Sequence, residues 1–357
     1  SSLMTLLEAT LQDFPRIDME ARAAARSRLE QLTMPHWGLG RLMDLAEELA
    51  GMCGAMPPPV TAKTIVTMAA DHGIAAQGVS GYPREVTLQM VHNFVAGGAG
   101  INVLSRLAGV RVVIADLGVD GDFSELVKVG KIIDRKIARG TQDMTRGPAM
   151  SRAEAVQAIE AGIAIARELG PETDVFGTGE MGIGNTTPSS AIVALYARAP
   201  IAEVTGRGTG IDDRQLAHKI DLIEKAIAAN APDITDPIDI LAKVGGFEIG
   251  GIAGLILGAA SQRKPVLIDG FISTAGALIA AHVEPRSREF MIASHRSMEP
   301  GHRIALKCLD KKPLLDLDLR LGEGTGAALA MHFVEAAVRI LTEVATFAEA
   351  RVSQAGT

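Results

Sequence analysis

Three glycine-rich stretches carry the residues whose types and spacing suit chemistry. In Arg320-Leu-Gly-Glu-Gly-Thr-Gly326 one carboxylate, Glu323, stands between two glycines just before a long helical stretch. Glycine flanks bare the backbone and bring a carboxylate close to a ligand, so Glu323 suits a general base; a first-turn glutamate favoured by the helix dipole fits the same spacing. The stretch Gly177-Thr-Gly-Glu-Met-Gly-Ile-Gly-Asn-Thr-Thr-Pro188 follows an apolar run and leads into a helix predicted over 189–197, with Pro188 in its first turn and Thr186 or Thr187 as N-cap. Four glycines in eight residues leave backbone N–H groups free to approach a phosphate at a helix N-terminus. Gly177, Gly179 and Gly182 also spell a formal G-x-G-x-x-G with Glu203 further on, the dinucleotide fingerprint. Gly184-Asn-Thr-Thr-Pro delays the helix that this fingerprint needs, which weakens a nicotinamide-cofactor reading. The third cluster, Gly206-Arg-Gly-Thr-Gly-Ile-Asp-Asp213, precedes a helix that Asp212 or Asp213 caps and that carries Lys219. Lys219 suits a point charge for phosphate and equally a solvated helix face.

Other chemistries lack their residues. No G-x-x-x-x-G-K-[ST] and no G-x-S-x-G occurs, which speaks against a P-loop nucleotidase and a nucleophile-elbow hydrolase. Asp71-His72-Gly73 invites a metal reading, but no second ligand group stands at metal-site spacing, so no metal site is expected. Asp71 is read as a loop-orienting residue, and His72, His295 and His302 as structural or surface residues rather than ligands. Cys53 and Cys308 stand alone, which suits a reducing compartment rather than a disulfide framework. With no basic-then-apolar leader at the start and no apolar run long enough for a bilayer, the expected location is the cytoplasm.

The elements that must position these loops follow one recurring pattern. Short apolar runs at 64–70, 111–115, 173–176, 265–268 and 290–293 each end in Gly or a polar residue. Between them, 85–107, 151–169, 187–197 and 213–229 have helical periodicity. Strands alternating with helices predict an α/β fold, a mostly parallel sheet with helices on both faces. The polar clusters then fall at strand C-termini, where open parallel sheets bind ligands, so they should converge. Residues 1–50 read as helices closed off by Met56-Pro-Pro-Pro, and 325–350 as one long amphipathic helix that packs on them. The predicted organisation is a small helical domain from 1–55 with 328–357, and a large catalytic domain over 56–327. A chain of 357 residues, 47% hydrophobic, buries a sizeable core for both. A net charge of −7 with 3% aromatic residues argues against a nucleic-acid partner, while leaving local anion binding open.

Read together, AADHGIAAQGVSGYPREVT (69–87), GTGEMGIGNTTPSSAI (177–192), GRGTGIDD (206–213), SHRSMEPGHRIAL (294–306) and RLGEGTGAALAM (320–331) resemble one family, the nicotinate-nucleotide–dimethylbenzimidazole phosphoribosyltransferases, in the same order from about residue 35 to 345. The resemblance implies a homodimer with a large Rossmann-like domain and a small helical domain built from both chain ends. It implies transfer of phosphoribose from nicotinate mononucleotide to 5,6-dimethylbenzimidazole, giving α-ribazole 5′-phosphate and nicotinate for the lower loop of cobalamin. The family's base matches Glu323, and a second glutamate near the reaction centre matches Glu180. The aromatic-base pocket matches Ser80, Tyr82, Met90 and Leu321. Some members carry Gln where Met90 stands here, so this chain offers a thioether in place of an amide. The nucleotide and its phosphate match Gly182, Gly184, Asn185, Thr186, Gly208, Lys219, Ser297 and Gly322. Pyridinium is a leaving group that needs no protonation and no Mg²⁺, so no cofactor is implied. The incoming benzimidazole must shed one N–H proton, which one carboxylate with a raised pKa takes. Attack opposite the leaving group inverts C1′. The rival readings are an NAD-dependent oxidoreductase on Gly177–Gly182 and a non-catalytic nucleotide-binding module, which leaves Glu323 without a role.

Overall fold

The computed structural model describes residues 3–356. Six parallel strands form one sheet: β1 (Lys63–Ala70), β2 (Arg111–Gly118), β3 (Ile133–Asp134), β4 (Val175–Met181), β5 (Val266–Ile268) and β6 (Met291–Ala293). Their spatial order is β3-β2-β1-β4-β5-β6, the doubly wound order whose switch point lies between β1 and β4. Every residue of β1 is buried, which explains why Lys63-Thr-Ile-Val-Thr-Met-Ala-Ala reads as a near-continuous apolar run rather than an alternation. Five strands stand where the sequence predicts them, and β3, two residues long, is too short to leave a pattern.

Several helices start at side-chain caps. Ser151 and Glu154 form a capping box on Arg152–Leu169, and Asp212 with Gln215 another on Asp213–Asn230. The predicted helix over 85–107 is two, Val86–Ala96 and Gly100–Ala108, because Gly97 adopts φ 82° and turns the chain out of the first. Helix Phe247–Ser261 is buried on nearly every side. It packs on Arg152–Leu169 through Gly251, Gly254 and Gly162; a side chain on Gly254 or Gly162 would strike backbone of the facing helix.

The chain ends meet. Arg28 donates to the carbonyls of Leu341 and Val344, Thr33 N–H to Ala345, and Phe347 N–H to Gln31. The C-terminal helix runs Thr325–Glu343 rather than through 350, because Thr346 caps a separate short helix, Phe347–Ala350. No helix among the described residues is long and apolar enough to cross a membrane.

The glycine-rich stretch after β4 differs from its predicted form. Gly177, Thr178, Gly179 and Glu180 are not loop residues; they continue the strand to Met181, paired with β1 from Ile65 to Ala69. A methyl group on Gly177 would lie 2.7 Å from Ile65 Cγ1, and one on Gly179 would collide with the Glu323 carbonyl oxygen. Gly179 admits the Glu323 turn onto the sheet, and Gly177 admits Ala327 and Met331 of the helix that follows that turn; neither lines the cleft. The dinucleotide fingerprint therefore loses its geometry, since its first two glycines lie inside a strand. Gly179→Ala should lower stability by about 1–3 kcal/mol through overpacking. It should lower turnover further than that loss explains, measured by thermal unfolding and nicotinate release; a variant with unchanged turnover would contradict this role.

Candidate active site

The loops after β1, β4, β5 and β6 line an open cleft. Of the fourteen residues singled out from sequence, ten line it: Glu180, Gly182, Gly184, Asn185, Thr186, Ser80, Gly208, Ser297, Leu321 and Gly322. Four do not. Tyr82 is exposed beside the cleft. Met90 packs on the core from helix Val86–Ala96, its sulfur 3.9 Å from Asn93 Nδ2. Lys219 is fully buried one layer behind Thr186, and Glu323 stands behind Gly322.

Helix Thr186–Ala197 opens the cleft's floor. Its N-cap is Asn185, not Thr186 or Thr187, and the cap makes no side-chain bond to the helix. Asn185 Nδ2 donates instead to Glu180 Oε1 at 2.9 Å. Thr186 Oγ1 accepts from Lys219 Nζ at 2.7 Å. The helix N-terminus thus has a buried cation beside it, and the two together favour an anion. Burial pushes Lys219 down to about 8, while Glu299 opposes that shift.

Glu180 is buried at the end of β4. Burial raises its pKa to about 8, against the Asn185 bond that lowers it; the nearby Asp269 and Glu248 carboxylates raise it further. At neutral pH Glu180 of the free enzyme is therefore mainly protonated. Its Oε2 accepts the Glu323 N–H at 3.3 Å. A methyl group at Gly322 would come within 2.5 Å of the same oxygen, so only glycine lets the turn approach this closely.

Glu323 has φ 65°, a left-handed conformation uncommon for a residue with a Cβ, held between Gly322 and Gly324. The helix N-cap is Gly324, which puts Glu323 outside the helix and removes the first-turn reading. Its carboxylate turns to another helix: Oε1 accepts the N–H of Ile101, at the start of Gly100–Ala108, at 3.2 Å. Burial raises its pKa, the Ile101 N–H lowers it and the Asp269 charge raises it. The Thr67 hydroxyl donates to the Glu323 carbonyl at 2.8 Å, fixing the turn to β1.

Among the positioning residues, Asp269 and Glu248 escaped the sequence reading, whereas His72 and His302 are read there as structural or surface residues. Asp269, at the end of β5, accepts N–H groups from Gly324 and Ala327 at 3.0 Å each, capping Thr325–Glu343 from a distant strand. Its signal was an Asp-Gly at a strand end, but nothing local shows which helix it serves. Asp269→Ala orphans both N–H groups and should cost roughly 2–4 kcal/mol and loosen the Glu323 turn. Urea unfolding checks this; a loss within error of zero would contradict it. His302 Nδ1 accepts the Ser297 N–H at 2.7 Å and its Nε2 meets Thr274 Oγ1 at 3.0 Å, a neutral imidazole that holds the Ser297 loop. Burial depresses its pKa to about 3, in keeping with that role. His72 and Glu248 form a buried pair 2.6 Å apart against Gly182. His295, Thr209, Glu299 and Arg320 also face the cleft.

Comparison with known proteins agrees with this architecture. The profile of a phosphoribosyltransferase family matches residues 14–352. The chain is 60% identical to the nicotinate-nucleotide–dimethylbenzimidazole phosphoribosyltransferase of Syntrophotalea carbinolica over 351 residues, covering 98% of this chain and 99% of the relative. It is 53% identical to that of Geobacter sulfurreducens over 352 residues, with the same coverage. The crystal structure of CobT from Thermus thermophilus superposes with a TM-score of 0.90 at 43% identity, covering 94% of this chain and all of that one. A match over nearly the whole chain, with the glycine loops on one cleft and Glu323 just behind Gly322, makes this chain a member of the nicotinate-nucleotide–dimethylbenzimidazole phosphoribosyltransferase family.

Proposed function

We propose that the cleft transfers phosphoribose from nicotinate mononucleotide to 5,6-dimethylbenzimidazole, with Glu323 as general base and inversion at C1′. The observation that carries the reading is the joint between the two glutamates. Glu323 N–H bonds Glu180 across a glycine that nothing larger replaces, so base and reaction centre move as one unit. The phosphate takes the N-terminus of Thr186–Ala197, with Gly184, Gly208 and Ser297 around it and Lys219 behind. The aromatic base enters past Leu321, which is exposed and lies against Gly100, at the helix end that holds Glu323 Oε1.

Chemistry then follows from charge. The pyridinium leaves as neutral nicotinate ring nitrogen, drawing the C–N electron pair with it. The benzimidazole nitrogen attacks C1′ from the other face, and its second nitrogen loses a proton to Glu323. Glu180 enters protonated; the cationic pyridinium and the developing sugar cation lower its pKa, so it ionises where positive charge appears.

Val103 and Leu107 are exposed one helical turn apart on Gly100–Ala108, the helix against which Leu321 lies. This exposed apolar face supports a homodimer, and the bonded chain ends support a small domain of 1–55 with 328–357. The test is product analysis from nicotinate mononucleotide with 5,6-dimethylbenzimidazole. Free nicotinate and the α-anomer of the nucleotide, told apart by mass and NMR coupling, are expected. A β-anomer would sink the inversion, and NADH binding without nicotinate release would favour the oxidoreductase.

A further inference from the structure

Glu299 sits on the wall of the cleft just after Ser297, whose hydroxyl accepts the Glu299 N–H at 3.2 Å. It grips the same segment as Lys219. Lys219 Nζ donates to the Gly206 carbonyl at 3.0 Å, and a methyl group on Gly208 would lie 3.5 Å from that nitrogen. Glu299 Oε2 lies against Gly206 from the other side, so close that only glycine fits there. This oxygen is buried without a hydrogen-bond partner. An ammonium has three N–H groups and Lys219 uses two, on Thr186 and Gly206. A carboxylate and a cation thus face one glycine turn in the place assigned to the phosphate.

We infer that Glu299 is a resident anion of the phosphate subsite, which balances Lys219 in the free enzyme and takes up a solvent proton when the substrate's phosphate arrives. The inference rests on the phosphate assignment above. A dianionic phosphate beside an ionised carboxylate would repel it. A neutral carboxylic acid has an O–H to donate to a phosphate oxygen, and the orphaned Oε2 is where that proton goes. The groups facing Glu299 are Lys219 and Arg320, with Glu180 and His295 across the cleft. Burial already raises the Glu299 pKa, while Lys219, the Gly208 N–H and Arg320 lower it. The chemical purpose is reversible holding: once the product phosphate leaves, the ionised carboxylate again offsets the buried charge of Lys219.

Glu299→Gln imitates the protonated acid. It should tighten nicotinate mononucleotide at pH 7 by at least on the order of tenfold. It should leave the dephosphorylated nucleoside and dimethylbenzimidazole unchanged, and it should lower KM without raising kcat, because product release slows. Glu299→Asp keeps the charge and should not tighten. In the unaltered protein, calorimetry in buffers of different ionisation enthalpy should show more proton uptake at pH 7 for the nucleotide than for the dephosphorylated nucleoside, which brings the same pyridinium to Glu180 without the phosphate. That measurement needs no variant to fold. Unchanged or weaker nucleotide binding in folded Glu299→Gln, equal tightening of the nucleoside, or equal proton uptake for nucleotide and nucleoside would each overturn the inference. Lys219→Met tests the underlying assignment separately: if it leaves nucleotide affinity intact, the phosphate lies elsewhere.

Discussion

Glu323→Gln should lower kcat by on the order of 10²–10⁴, while nicotinate mononucleotide binds within a few-fold of normal. The substitution is close to isosteric. A glutamine oxygen still accepts the Ile101 N–H now held at 3.2 Å, so the left-handed turn survives. What is lost is the ability to take a proton. The unaltered enzyme should also show an acidic limb in its rate profile. Burial raises the Glu323 pKa, so the ionised base fills only as pH climbs through that raised value. In Glu323→Gln the limb should vanish. Nicotinate release followed against pH checks both statements, and near-normal rates in the variant would remove Glu323 from the proton transfer.

Glu180 makes the largest expected change in stability. Its pKa is about 8 in the folded chain against 4.5 for an exposed carboxyl. The sign follows from which state binds the proton more tightly, here the folded one. The protonated carboxyl therefore supports folding fully below about pH 4.5, and that support is lost as pH rises to 8. Glu180→Gln stays neutral throughout. Its stability relative to the unaltered enzyme should rise across this window by roughly 4 kcal/mol, at about 1.4 kcal/mol per unit. A near-constant offset of about 1 kcal/mol for the weakened Glu323 N–H bond works against it. Urea unfolding at pH 5, 7 and 9 measures the difference, and a flat difference would mean that Glu180 titrates normally. The catalytic meaning follows: a carboxyl kept neutral in the free enzyme is ready to ionise when cationic substrate enters.

The sheet is legible in the residue pattern because its strands are buried on both faces and must be apolar runs, ended by the glycines and polar residues of the loops. Helix starts are legible where a capping side chain is local, as at Ser151 and Asp212. The same local logic fails at 177–180. Glycine at a strand end reads as a loop, and only the arrival of the Glu323 carbonyl at Gly179 and of the following helix at Gly177 shows why a central strand tolerates two of them. The break at Gly97 is hidden because the helical periodicity continues on both sides of it.

For the site, residue types and short spacings were enough to say which loops carry chemistry, and that a single carboxylate between glycines stands apart from the rest. They left Glu323 balanced between a base and a helix-end residue. Folding excludes the helix end, because φ 65° and the Ile101 N–H belong to a contact 222 residues away in the chain. The cap from Asp269, the raised pKa of Glu180 and the meeting of Glu299 and Lys219 at one glycine turn likewise exist only in three dimensions. Desolvation and the company of other charges are properties of a folded interior, and no spacing along the chain encodes them.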